Sequence, residues 1–242
     1  MTTVSLRMER IIGARVPQGV VTVNTTPREA QMSESSRDHT EVELKLRLNE
    51  EADYERLRAC LGPPVETVEQ VNHYFEAAGD GLRAAGAMLR VREGDGPPTV
   101  TLKVRARLAE GVLEAREVEA SLDAGTWEEI RLGARGMESL DVAPVRVAVD
   151  LLGSPARLEV QGTMRNRRER HTMGGRVLEL DRTELPDGTR DFEVEVETDD
   201  PADTRQAVEA LLRSCGAGWT EQTQSKYQRF LEHLPVGGGR DL

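Results

Sequence analysis

Where the chain is most regular, it alternates charge and hydrocarbon. In residues 41–48 (EVELKLRL), Glu41, Glu43, Lys45 and Arg47 share one face of an extended segment. Val42, Leu44, Leu46 and Leu48 share the other, because successive side chains of a strand point to opposite sides. The same period of two returns at residues 89–92 (LRVR), 99–105 (TVTLKVR), 116–119 (REVE), 177–181 (VLELD) and 192–197 (FEVEVE). One such segment alone reads as an ordinary half-buried strand with a wet face. Its repetition predicts an α+β fold built on a closed antiparallel β-barrel, with a charged interior and helices flanking the apolar outer faces.

Helical spacing separates these segments. Asn49 is placed to cap a helix through Tyr54, Leu57 and Leu61, ended by Gly62-Pro63-Pro64. Further helices are expected near residues 123–132 and 144–152. Asp200-Pro201 opens another, which runs through Val208, Leu211 and Leu212 to Gly216, with proline at its first position. A last helix is expected from Thr220, carrying Lys226 and Tyr227. The Gly94-Asp95-Gly96-Pro97-Pro98 segment reads as a turn between strands. With no internal repeat and no long linker, residues 40–235 are expected to form one domain. Residues 1–39 read as a disordered leader without a catalytic role, with Met32 as an alternative start, and residues 236–242 as a loose tail.

Acids and bases are segregated among the strands. Glu41, Glu43, Glu193, Glu195 and Glu197 lie on some, Arg90, Arg92, Lys103 and Arg105 on others. Carboxylates aimed into one cavity repel one another unless a cation compensates them, and hard oxygen donors favour Mg2+ or Mn2+. Opposed arginines and lysines suit phosphate oxygens. A net charge of -11 argues against a nonspecific grip on nucleic acid, which needs a basic surface. Aromatic residues make up only 3% of the chain, so the core is expected to rest on Leu, Val and Ala.

Other chemistries lack their residues. There is no Gly-x-x-x-x-Gly-Lys loop and no serine in a nucleophile elbow. His39, His73, His171 and His233 show no ligand pair at helical spacing and read as surface or packing residues. Cys60 and Cys215 suggest neither a disulfide framework nor a thiolate metal site. They are expected to be two small buried side chains in a reducing cytoplasm. No apolar run approaches the ~20 residues of a membrane-spanning helix, and the first thirty residues do not read as a secretory leader.

Eight short strings in order carry a resemblance to a known family. They are Glu-x-Glu-x-Lys at Glu41, Glu43 and Lys45; QVNHYFE at 70–76; MLRVRE at 88–93; TLK at 101–103; REVE at 116–119; LELD at 178–181; EVEVE at 193–197; and SKY at 225–227. Together they resemble the CYTH domain, also called the triphosphate tunnel metalloenzymes. That resemblance implies a metal-dependent triphosphatase, which removes the terminal phosphate of inorganic triphosphate or of a triphosphate-bearing small molecule. It leaves two alternatives open: a class IV adenylate cyclase, making cyclic AMP and pyrophosphate from ATP, and a noncatalytic module that binds polyphosphate or nucleotide. RNA 5'-triphosphatase chemistry is disfavoured by the acidic exterior.

Carried over position by position, the resemblance assigns catalysis to Glu41, Glu43, Lys45 and Lys226. It assigns substrate phosphates to Lys45, Arg90, Arg92, Lys103, Arg167 and Lys226, with Arg165 or Arg168 as alternatives to Arg167. Metal binding falls to Glu41, Glu43, Asp181, Glu193 and Glu195, with Mg2+ or Mn2+ as the cofactor. Glu117, Glu119 and Glu197 stand between site acids and ordinary strand acids. Arg165-Asn166-Arg167 replaces the family's frequent Lys-x-Arg and keeps the charge. The expected partner is a small triphosphate compound, with no membrane and no nucleic acid, and pairing into a homodimer is implied by the resemblance alone.

Overall fold

The computed structural model describes residues 36–153 and 156–235. The chain passes through β1 (Arg37–Leu48), α1 (Glu51–Leu61), β2 (Glu66–Ala77), α2 (Gly81–Ala84), β3 (Ala87–Glu93), β4 (Thr99–Ala109) and β5 (Val112–Ser121). Then come α3 (Ala124–Arg131), a 3-10 turn (Met137–Ser139), α4 (Ala143–Leu152), β6 (Leu158–Met173), β7 (Arg176–Glu184) and β8 (Arg190–Glu197). It ends in α5 (Pro201–Cys215), β9 (Trp219–Glu221) and α6 (Lys226–Glu232). β1 begins at Arg37 and so takes in three residues grouped above with the leader. The expectations for the leader up to residue 35 and for the tail from 236 lie outside the described residues.

Around the sheet the order is β5-β4-β3-β2-β6-β7-β8-β1, and β1 pairs with β5 to close it into an antiparallel barrel. β1 can close it because it is long. Its first part, Arg37 to Leu44, pairs with β5, while residues 43–47 pair with β8 on the other edge. Where β5 stops, β9 continues along the same edge and pairs with Leu46, Arg47 and Leu48. The tight β4–β5 turn reaches back to β1: Lys45 N–H donates to the Gly111 carbonyl at 2.6 Å. Gly111 has φ +68°, and a Cβ there would lie 2.8 Å from the Lys45 carbonyl, so both the turn and the close approach require glycine.

The apolar faces point outward, as the alternation predicts, and helices cover them. Leu44, Leu46, Leu178, Leu180, Val194 and Val196 pack beneath Tyr54 and Leu57 of α1 and Val208 and Leu212 of α5. On the opposite side Phe75, Leu89, Leu102 and Val118 pack with Trp127 of α3 and Val145 and Ala148 of α4. A third, smaller cluster joins Tyr74, Met88, Met164 and Leu185 to Phe230 of α6. Most of the core is therefore aliphatic, as the composition suggests, but the α6 contact is built on rings.

Several local expectations need correction. α1 is preceded by Glu50 in the N-cap position, and Asn49 does not cap it. Residues 219–221 form β9 instead of starting a helix, because the end of β1 offers an unpaired edge. α6 starts only at Lys226, after Ser225 and Gln228 make a reciprocal capping box. Cys60 and Cys215 are not separate buried side chains. They form a disulfide between the ends of α1 and α5, with Cα atoms 5.7 Å apart, and Cys60 is exposed. Sequence spacing could not show this, since 155 positions separate them. No helix among the described residues is long and apolar enough to cross a membrane.

Candidate active site

The inward faces of the strands line a cavity of about 800 Å3. Its β1 wall runs from Arg37 through His39, Glu41 and Glu43 to Lys45. At the ~3.3 Å rise of a strand residue that wall is roughly 26 Å long, so the cavity follows the barrel as a tunnel.

Strand register decides which charges meet. Lys45 lies opposite Glu195 on β8, and Glu195 opposite Glu179 on β7. Lys45 Nζ is 2.6 Å from Glu43 Oε2 and 2.5 Å from Glu195 Oε1. Arg168 of β6 closes the ring, donating from Nε and Nη2 to the two oxygens of Asp181 at 2.8 and 2.6 Å and pairing also with Glu179 and Glu195. Lys226, the first residue of α6, enters the same group at 2.7 Å from Asp181, 2.9 Å from Glu193 and 2.5 Å from Glu195. Arg229, one helical turn on, pairs with Asp191 at 2.7 Å and Glu193 at 2.6 Å. α6 thus plugs the barrel side where the acids of β7 and β8 collect.

These contacts set the charge states. Burial, together with the nearby Glu195 charge, pushes the Glu43 carboxyl up to about 7. Burial also opposes ionisation of Glu195, but Lys226, Lys45 and Arg168 outweigh it and hold that carboxyl well below the usual range. Asp181 is lowered in the same way, by Arg168 and Lys226 acting against burial. Lys226 is raised well above its ordinary value, because Asp181, Glu193 and Glu195 overcome the cost of burying it.

Across the tunnel, Lys103 pairs with Glu41 and lies 2.7 Å from Glu117. Thr101 donates to Glu119 at 2.9 Å. Two cations on β3 stand apart: among the described residues no carboxylate lies within ion-pair distance of Arg90 or Arg92, which of the cavity's other arginines and lysines is true only of the exposed Arg37 at the start of β1. Arg90 Nε is buried and has no hydrogen-bond partner. Arg92 Nε donates to the neutral Asn72 amide at 3.2 Å. Burial and the charges of Arg90 and Arg168 depress the Arg92 guanidinium to about 10.

The fold brings Glu41, Glu43, Lys45, Arg90, Arg92, Lys103, Glu195 and Lys226 to one cavity. Arg167 needs correction: it lies on the outer face, 2.8 Å from Glu69 and 3.1 Å from Glu169, while its alternative Arg168 lines the cavity together with Arg170. Of the expected metal set, Glu43 and Glu195 come together, joined by Glu179. One oxygen from each of the three lies within 4.8 Å of the others. Asp181 and Glu193 are fully buried outside the cavity lining, occupied by Arg168, Lys226 and Arg229. Glu41 faces Lys103 instead of this triad. Sequence reasoning missed Glu179, although it shares a face with Asp181 in the LELD segment. Glu117, Glu119 and Glu197 all line the cavity.

A closed barrel whose polar interior opposes carboxylates to guanidinium and ammonium groups defines a class of protein that handles polyanions in a tunnel. The CYTH domain model matches residues 39–230, and the chain belongs to the CYTH family. The Hippeastrum protein HpAC1, a candidate adenylyl cyclase described as having a dominant triphosphatase activity, is 29% identical. Its TM-score is 0.75 over 81% of this chain and 99% of its own. A Bacillus halodurans protein described as a candidate adenylate cyclase is 25% identical, with a TM-score of 0.62 over 80% of this chain and 98% of its own. No curated protein matches the chain in sequence.

Proposed function

We propose that the protein is a metal-dependent triphosphatase that removes the terminal phosphate from inorganic triphosphate or from a small molecule with a triphosphate tail. One observation carries this reading: the Glu43, Glu179 and Glu195 oxygens line the same tunnel as Arg90 and Arg92, two neighbouring β3 guanidiniums without carboxylate partners. The triphosphatase activity described for HpAC1 supports it.

The donor set fits a hard divalent cation, since three carboxylates converge within 4.8 Å and offer only oxygen. Mg2+ or Mn2+ held there would neutralise phosphate oxygens and acidify a water. Arg90 and Arg92 bind phosphoryl oxygens, having no acid to give up. Lys103, Arg168 and Lys226 do so by turning from their carboxylates, and Lys45, shared between Glu43 and Glu195, holds those two acids side by side. Glu41 tunes Lys103 through their ion pair. Water adds to the terminal phosphorus, the bond to the bridging oxygen breaks, and orthophosphate leaves with a diphosphate. Positioning and charge neutralisation supply most of such a rate enhancement.

The test is product analysis of purified protein with Mg2+ or Mn2+, offered triphosphate, ATP and thiamine triphosphate separately. Orthophosphate is the expected product. Cyclic AMP with pyrophosphate from ATP would replace the hydrolase by a cyclase, and tight binding without turnover would replace it by a binding module.

A further inference from the structure

We infer that the phenolic hydroxyl of Tyr74 is a substrate contact, donating a hydrogen bond to an oxygen of the same phosphate chain that Arg90 holds. The inference rests on the triphosphatase reading and deepens it.

Tyr74 is fully buried and lines the tunnel, and its hydroxyl has no hydrogen-bond partner. Buried tyrosines ordinarily find one, because an unmet hydroxyl carries its full desolvation cost. The ring itself is well held, with its centroid 4.4 Å from that of Phe230 and 5.1 Å from that of Tyr227. Its cross-strand partner in the β2–β3 register is Arg90, whose Nε is the other unpartnered tunnel donor.

On its other edge, the register with β6 shifts just after Tyr74, from Gly162 to Val160, leaving Gln161 as the extra residue. Such bulges re-aim side chains beside sites. Glu76, the next inward residue of β2, does not serve the hydroxyl, since its Oε1 accepts the N–H groups of Ala77 and Leu82 at 2.8 and 2.7 Å. Two adjacent buried donors, one neutral and one cationic, therefore stand in the tunnel wall with nothing of the protein's own to bind. A neutral donor here adds a contact to an anion without adding a charge that the tunnel acids would claim.

Tyr74→Phe removes the hydroxyl and keeps the ring contacts. Without substrate, the melting temperature of the variant should equal or exceed that of the unaltered protein, because an unmet polar group has gone. Its Kd and KM for inorganic triphosphate should rise about tenfold or more, as loss of a hydrogen bond to a charged group requires. A melting temperature several degrees lower with triphosphate binding intact would make the hydroxyl structural and overturn the inference. Unchanged KM, Kd and kcat would overturn it as well, leaving the triphosphatase reading in place. Failure of the unaltered protein to bind or hydrolyse triphosphate would remove both together.

Discussion

Lys45 Nζ lies 2.5 Å from a carboxylate oxygen of Glu195, a residue 150 positions away in the chain. The pair exists because β1 and β8 are neighbours in a register that sets these two residues opposite each other. The same ammonium touches Glu43 at 2.6 Å. One lysine thus fixes the spacing of two of the three carboxylates proposed to hold the metal.

Replacing Glu43 by glutamine should lower metal-dependent turnover of triphosphate by roughly a hundredfold or more, since it removes an anionic ligand from the triad. The fold should survive, because burial and Glu195 already disfavour the charged form of this carboxyl. Steady-state rates at saturating Mn2+ beside a melting curve check both parts. A variant with normal rate and normal metal requirement would remove Glu43 from the site.

The raised Glu43 carboxyl predicts a pH dependence of metal binding. Its folded value of about 7 lies above the ordinary 4.5, so in the metal-free protein its contribution to stability is complete below pH 4.5 and is lost as pH rises through 7. A metal ion must displace that proton. Affinity for Mn2+ should therefore climb by up to about tenfold per pH unit below 7 and level off above it. Calorimetric titrations across this range decide the matter, and a flat affinity would contradict it.

Arg168 and Arg167 should behave oppositely. Arg168→Ala leaves Asp181, Glu179 and Glu195 without their shared partner, a loss of about 3–5 kcal/mol of stability for a broken buried ion pair, and should abolish turnover. Arg167→Ala removes a partly exposed contact to Glu69 and Glu169 and should keep near-normal kcat/KM. Denaturant melts and kinetics on the two variants would test the register directly.

Reducing the Cys60–Cys215 bond should lower Tm by about 5–15 °C, as expected when a long covalent loop is opened. The double variant Cys60→Ser/Cys215→Ser should match the reduced protein and no longer respond to dithiothreitol. Two titratable thiols in the native, unreduced protein would count against the bond.

The barrel was legible in the sequence wherever one strand face is covered by helices and the other lines the tunnel, because only there do charge and hydrocarbon alternate cleanly. β6 is different. Its RNRRER run carries arginines on both faces: Arg165 and Arg167 point outward, while Arg168 and Arg170 face the tunnel. Charge alone cannot separate these faces. The pairing of Arg168 with Asp181 across the β6–β7 ladder does. β2 was hidden for a related reason, since its inward Gln70 and Asn72 are neutral and its outward His73 and Glu69 are polar too. Among the acids, spacing put Glu41, Glu43, Glu193 and Glu195 on inward faces but passed over Glu179, and which acids stay in the cavity and which meet α6 depends on where Lys226 and Arg229 enter.

The tunnel behaves as a miniature ion exchanger already loaded with its own counterions. Lys45, Lys103, Arg168 and Lys226 are each held by at least two carboxylates. A simple anion such as chloride or sulfate can compete with only one or two of these bonds and brings no cation to satisfy the acids it displaces. A chelated polyphosphate arrives with both signs of charge and can exchange many pairs at once. On the proposed triphosphatase reading, such a lining would select polyphosphate over simple salts by a threshold of multivalency.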